Sequence, residues 1–114
     1  MQLVKLISFG FKHHNTPEPS VGQVVVDIRT MFRNPWHEPA LRYKDGRDAA
    51  VQQYIMGDPR YSAMLAHVRE IVTAPGVTTG WIGCAGGHHR SVCIVERLGA
   101  ELGVQIEHRD LDRA

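Results

Sequence analysis

The sequence predicts one α/β domain: a mainly parallel central sheet of about four strands with helices on its faces. Three observations carry that reading. Short β-branched runs alternate with amphipathic helical patterns, glycine and proline punctuate the joins, and one strand runs through a glycine-rich loop straight into a helix. The chain has 114 residues, enough for a single core, so residues 1–114 form one domain. With 43% hydrophobic and 22% charged residues, the composition is that of an ordinary globular protein.

Residues 1–9 (MQLVKLISF) read as a strand buried on both faces and ended by Gly10. The following FKHHNTPEPSVG is a loop in which Lys12, His13 and His14 supply functional groups. Residues 23–29 (QVVVDIR) make a second core strand, with Asp27 and Arg29 at its C-terminal end. Residues 30–46 have no clean period, and Asn34-Pro35 and Glu38-Pro39 break any helix there. A connection of that length is uncommon unless it serves a function. Residues 48–56 read as a short helix stopped by Gly57. Asp58 then reads as the N-cap, and Pro59 as the first residue, of a helix carrying Met64, Leu65, Val68, Ile71 and Val72 on one face. That helix ends near residues 74–76. A buried strand at 80–83, a helix from about Arg90 to Leu102 stopped by Gly103, and a strand at 104–108 complete the series, leaving RDLDRA as a polar tail.

The loop at residues 83–91 is where this order leads. Cys84, five intervening residues, Arg90 and Ser91 form a Cys-x5-Arg-Ser pattern. Gly86 and Gly87 permit the turns and close approach that a backbone cradle needs. The N–H groups of the loop and first helical turn then point at one spot, where the helix dipole also favours an anion. Arg90 adds a bidentate fork suited to phosphate. Cys84, Ala85, Gly86, Gly87, His88, His89, Arg90 and Ser91 are thus candidate binding residues for a phosphorylated small molecule, or for a phosphate or sulfate ion. In parallel sheets ligands bind beyond the C-terminal strand ends. Residues 10–14, 27–29, 84–90 and 108–110 all fall at such ends, so they are expected to converge, bringing Asp27, Arg29 and His108 to the same pocket. His89 and His108 are expected to line it, and His13 and His88 to face outward.

The same spacing serves cysteine-dependent phosphatases, in which Cys84 would attack phosphorus, Arg90 would hold the phosphoryl group and Asp27 would protonate the leaving group. Gly83 stands where those enzymes typically have histidine, and both readings stay open at this point. Adjacent histidine pairs without i, i+4 spacing give no metal site, and nothing in the sequence implies a cofactor. Two cysteines are too few for a disulfide framework, and Cys93, on the helix, reads as apolar filler. The net charge of +1 removes the strong basic excess of a general nucleic-acid binder. Lys12, Arg29, Arg33, Arg42, Lys44, Arg47, Arg109 and Arg113 nevertheless fall mostly in loops and the tail. They form either a solvated surface or an RNA-contacting patch with Trp36 or Tyr43 for stacking, and Lys12, Arg42, Lys44 and Arg109 are its candidates. With no apolar run of membrane-spanning length and no signal-peptide pattern, the expected location is cytoplasmic.

SFGFK at 8–12, DIR at 27–29, NP at 34–35, LR at 41–42, GCAGGHHRSV at 83–92, Glu96 and HRD at 108–110 occur in an order that resembles the C-terminal domain of the RapZ (YvcJ) family of bacterial RNase adapters. The resemblance implies binding of an amino-sugar phosphate, glucosamine-6-phosphate, and of small regulatory RNA that is presented to a ribonuclease. Asp27, Cys84, Ala85, Gly86, His89 and Arg90 match the sugar-phosphate site, where Asp27 would suit the sugar's ammonium group. Two departures stand out. Ala85 replaces the family's usual threonine, and Trp36-His37 lies one residue further from Asp27 than the family's histidine and aromatic pair. Either His37 replaces the family's histidine or the pocket differs. Full-length members also carry an N-terminal nucleotide-binding domain. Nothing precedes the resembling region here and no G-x-x-x-x-G-K-[ST] occurs, so a stand-alone domain is expected. Self-association is left open.

Overall fold

The apolar and β-branched runs pair into one sheet, and the amphipathic segments pack on it. The computed structural model describes residues 2–13 and 15–113. Met1 and His14, which the sequence places in the first strand and in the strand-end cluster, lie outside the described residues, as does Ala114 of the tail. The strands β1 (Lys5–Gly10), β2 (Gln23–Asp27), β3 (Thr79–Cys84) and β4 (Gln105–His108) lie in the order β2-β3-β1-β4. All three pairings are parallel, with Ile7 opposite both Trp81 and Glu107. The expected four-stranded α/β architecture therefore stands.

Three helices cover the sheet: α1 (Ala49–Met56), α2 (Tyr61–Val72) and α3 (Arg90–Leu102). Asp48 caps α1 by accepting from the Ala50 N–H at 2.8 Å. Asp58 does not cap α2 as the sequence suggests. It accepts the Arg60 N–H at 2.9 Å and the Arg60 guanidinium, whose hydrogen bonds hold its carboxyl down to about 2. Asp58-Pro59 is thereby closed into a turn, and the helix starts at Tyr61. β2 likewise stops at Asp27, two residues early, because the Asp27 carboxylate accepts from the Arg29 N–H at 3.0 Å and turns the chain. Within the 30–46 connection, Pro35–His37 forms one short 3-10 turn, started by Asn34, whose side-chain oxygen accepts from the Trp36 N–H.

The core lies between helices and sheet: Leu6, Val26, Ile82, Val68, Val72, Ile94, Val95 and Leu98 are all almost fully buried. Each such side chain contributes about 1.5–3 kcal/mol on burial. That anchors α3, and with it the loop at its N-terminus. Ile7, Phe9 and Trp81 alternate with these residues on the strands and stand outside the main cluster; there Phe9 packs edge-on against Phe11 and Trp81. Because β3 sits between β2 and β1, the chain leaving β1 runs toward the β2 side and the chain leaving β3 toward the β4 side. The crevice between their C-terminal ends is the topological switch point, where ligands bind in open α/β sheets.

Candidate functional site

The switch-point crevice is walled by the loop from Cys84 to Arg90. Its carbonyls are turned into the protein. Cys84 O accepts from Phe11 N at 2.9 Å, Ala85 O from Lys12 N at 3.0 Å and His88 O from Gly46 N at 2.8 Å. The Gly86 carbonyl bonds the His13 ring. Its N–H groups are not so used. Among the described residues, no backbone N–H from Ala85 through His89 donates to a protein acceptor. Gly87 makes this possible with φ 77°, which favours glycine. Gly10 completes the packing, since a Cβ there would overlap the Gly86 backbone.

Arg90 opens α3 and is only 5% exposed. Its Nη1 donates to the Arg29 carbonyl, while its Nε is buried without a partner. Burial pushes its pKa down against the pull of Cys84 and Asp27, and the guanidinium still carries its charge at neutral pH. Inward carbonyls, free N–H groups and a partly unpaired arginine are together complementary to an oxyanion. The space they face is a cavity of about 220 Å³ lined by Lys12, Asn34, Trp36, Cys84, Ala85, Gly86, His88, His89 and Arg90.

Residues 2–112 match the RapZ C-terminal domain family. The chain belongs to that family. Similar proteins include a nucleotide-binding protein of Thermus thermophilus, 39% identical over 97% of this chain and 44% of its own length. Another, from Limosilactobacillus fermentum, is 38% identical over 97% of this chain and 42% of its own length. The chain thus spans less than half the length of these curated relatives.

In this RapZ-family domain the expected site residues divide into two groups. Cys84 through Arg90, apart from Gly87, border the cavity directly or through the loop backbone; Ser91 lies beneath it, fully buried. The Cys84 thiol donates to Ser91 Oγ at 3.1 Å, and the Ser91 hydroxyl donates to the Phe9 carbonyl at 3.3 Å. His88, expected to face outward, lines the cavity and bonds the Asp110 carbonyl at 3.0 Å. His89 bonds the Arg42 carbonyl at 3.0 Å, and burial, although opposed by that carbonyl, lowers its pKa. As donor to a carbonyl, its Nε2 carries the proton of a neutral ring.

The second group stands off. Asp27 is held by its own neighbour, accepting Arg29 Nη2 at 2.7 Å, and these bonds lower its pKa. Arg29 reaches the site through its backbone carbonyl only. His37 is exposed at the end of its turn, and Trp36 borders the cavity in its place. His108 faces elsewhere: Nδ1 meets Ser8 Oγ at 2.7 Å and Nε2 meets Glu96 Oε2 at 2.7 Å. Arg109 pairs with Asp110 at 2.7 Å rather than with solvent. Arg42 stacks on Trp36, 5.1 Å from the ring centroid, and Lys44 and Lys12 are exposed nearby.

Lys12 lines the cavity from the 10–14 strand end, whereas Asn34 and Trp36 are cavity residues that strand-end reasoning did not select. Gly46 was also missed, although a Cβ there would overlap His89 O and Cys93 N. The sequence signal for Asn34 and Trp36 was the length of the 30–46 connection, which folds back over the cavity mouth. Among the described residues, no helix is long and apolar enough to cross a membrane, and no cluster of three or more His, Cys, Asp or Glu is placed to hold a metal.

Proposed function

We propose that this domain binds a phosphomonoester in the Cys84–Arg90 cradle, with an amino-sugar phosphate such as glucosamine-6-phosphate as ligand, and acts with RNA as a cytoplasmic adapter for a ribonuclease. The single observation that carries the phosphate reading is the buried Arg90 with an unpaired Nε, beside loop N–H groups that have no acceptor among the described residues. Buried donors left without partners are costly, and a bound anion removes that cost. The RNA and ribonuclease roles rest on membership of the RapZ C-terminal domain family.

A binder is favoured over a phosphatase by the state of Cys84. Cys84 is only 3% exposed and its thiol is engaged with Ser91 Oγ at 3.1 Å, so little of the sulfur is open to attack a ligand. Calorimetric titration with inorganic phosphate, glucosamine-6-phosphate and glucose-6-phosphate, beside a chromogenic phosphate ester assay, tests both readings. The expected result is saturable binding with no turnover. Turnover abolished by Cys84→Ser would establish the enzyme instead.

Asp27, which stands off the cavity in the free protein, would supply a preference for an amine by exchanging its partner. Its carboxylate is half-exposed and paired with Arg29, a bond that an incoming ammonium can exchange. Asp27→Asn is expected to lower affinity for glucosamine-6-phosphate by about tenfold relative to glucose-6-phosphate, the scale of one hydrogen bond to a charged group. An unchanged ratio of the two affinities removes Asp27 from the site.

A further inference from the structure

Beside the cradle lies a second groove, of about 400 Å³, lined by Lys12, Trp36, Arg42, Tyr43, Lys44, Asp45, His88 and Leu111. It shares Lys12, Trp36 and His88 with the cradle cavity, so the two are neighbours with a common wall. The chemistry of the groove differs from that of the cradle. Trp36 and Tyr43 stand edge to face, 5.9 Å apart at 78°, and both are exposed. Arg42 is fixed against Trp36 by its Nε bond to the Trp36 carbonyl at 2.9 Å. Lys12 and Lys44 add two exposed cations, while the one carboxylate, Asp45, is already paired with Arg47 at 2.8 Å.

A right-angled aromatic corner with an ordered guanidinium and free lysines is a stacking platform for a planar, electron-rich ring held near phosphate. A sugar phosphate fills the cradle and leaves this corner empty. A nucleotide carries one phosphate, one sugar and one base, and fits both compartments at once.

Resting on the phosphate reading above, we infer that the two cavities form one site for a terminal nucleotide: its phosphomonoester in the Cys84–Arg90 cradle and its base on the Trp36–Tyr43 corner. The nucleotide is either free or the phosphorylated end of an RNA strand. An internal phosphodiester fits poorly. It carries one charge where a monoester carries up to two, and its two ester oxygens are weaker acceptors for the cradle's N–H donors than a monoester's terminal oxygens. The site therefore reads strand ends rather than strand interiors, and base identity little, because every base has a stackable face.

The test is titration of the full chain with inorganic phosphate, ribose 5-phosphate, adenosine 5′- and 3′-monophosphate, and a short oligoribonucleotide ending in a 5′-monophosphate, a 3′-monophosphate or hydroxyls only. Quenching of Trp36 fluorescence reports stacking, with Trp36→Phe identifying the signal against Trp81. At least one adenosine monophosphate should bind about tenfold more tightly than ribose 5-phosphate, the scale of one base–aromatic stack. Tyr43→Ala should lower the ratio of nucleotide to inorganic-phosphate affinity by a similar factor. A phosphorylated strand binding more tightly than both the mononucleotide and the hydroxyl-ended strand identifies an RNA end as the ligand; equal binding of phosphorylated strand and mononucleotide identifies the free nucleotide. If phosphate binds and Arg90→Lys weakens it, yet neither adenosine monophosphate exceeds ribose 5-phosphate, the groove inference alone is overturned. If phosphate itself does not bind, the cradle reading fails and takes this inference with it. A hydroxyl-ended strand binding as well as the phosphorylated ones overturns end recognition.

Discussion

Two polar clusters lie at the same edge of the sheet and use their hydrogen-bonding groups in opposite ways. Around Asp110 every group is engaged: its carboxylate accepts from Gly10 N at 2.8 Å, from Arg109 at 2.7 Å and from Arg113 at 2.9 Å. Desolvation pushes the Asp110 pKa up, but the Arg109 and Gly10 bonds outweigh it and the net shift is downward. In the cradle, among the described residues, Arg90 keeps an unpaired buried Nε and the loop keeps N–H groups without protein acceptors. A satisfied buried network holds a structure together; an incompletely satisfied one destabilises it and is retained where a ligand completes it. Arg109 has a carboxylate partner in Asp110 and the cradle holds none for Arg90, so what separates latch from site is whether the arginine is fully engaged.

Removing the latch gives the largest expected effect. Asp110→Ala leaves the buried Gly10 N–H and Arg109 without their acceptor, at a cost of about 3 kcal/mol in folding stability. Urea denaturation should show the midpoint falling with an unchanged slope. A loss below about 1 kcal/mol would place Asp110 outside the load of the fold and blur the contrast with the cradle.

Arg90 sharpens the contrast from the other side. Arg90→Met removes a buried charge that the protein alone pairs incompletely, so the free protein should be as stable as the parent or slightly more so. Phosphate affinity should fall by roughly ten- to a hundredfold, the worth of a charge-assisted hydrogen bond. Melting in the absence and presence of phosphate separates the two effects. A variant that melts much lower without any ligand would assign Arg90 to the latch.

His89 tests the boundary between the clusters through pH. Its folded pKa lies below its ordinary value of 6.5, because burial disfavours the charged ring. The unfolded chain therefore binds more protons in that range, and stability is lost as pH falls below about 6.5. One site gives a slope no steeper than about 1.4 kcal/mol per pH unit. The lowered carboxylates Asp27 and Asp110 act in a lower window, as pH falls through 3.8 and the unfolded chain takes up protons before the folded one. His89→Gln should flatten the profile just below pH 6.5, measured by chemical denaturation across that range. An unchanged profile would assign the slope to another group.

Much of this was legible in the residues. The strand, glycine loop and helix at 79–102 were readable because alternation, turn residues and apolar spacing agree there, and Arg90–Leu102 forms as one helix. The convergence of strand ends followed from parallel pairing alone. Rotamers and partners did not follow. Asp27 and His108 stand at strand ends as expected, but local partners, Arg29 for one and Ser8 with Glu96 for the other, take their polar atoms away from the cavity. Trp36 and Asn34 arrive from the 30–46 connection through the docking of Gly46 under the N-terminus of α3, a backbone contact with no periodic signature. Asp58 shows the same limit on a small scale, since a capping pattern gave way to a side-chain pair with Arg60 two residues on.

The smallest expected effect comes from Ser8, which with His108 and Glu96 has the residue types of a hydrolytic triad. Its placement rules it into the latch: Ser8 is fully buried in β1 and borders none of the cavities described, so no substrate carbonyl reaches its oxygen. The His108 ring bridges Ser8 Oγ through Nδ1 and Glu96 Oε2 through Nε2, each at 2.7 Å, and the chain of bonds ties β1 and β4 to α3. Ser8→Ala removes one neutral hydrogen bond and should cost about 1 kcal/mol. Phosphate affinity should stay within twofold of the parent, because no atom of this chain of bonds faces the cradle. If Ser8→Ala instead weakened phosphate binding as Arg90→Met does, the two clusters would be one network. Engagement in the free protein would then no longer tell which of them holds a ligand.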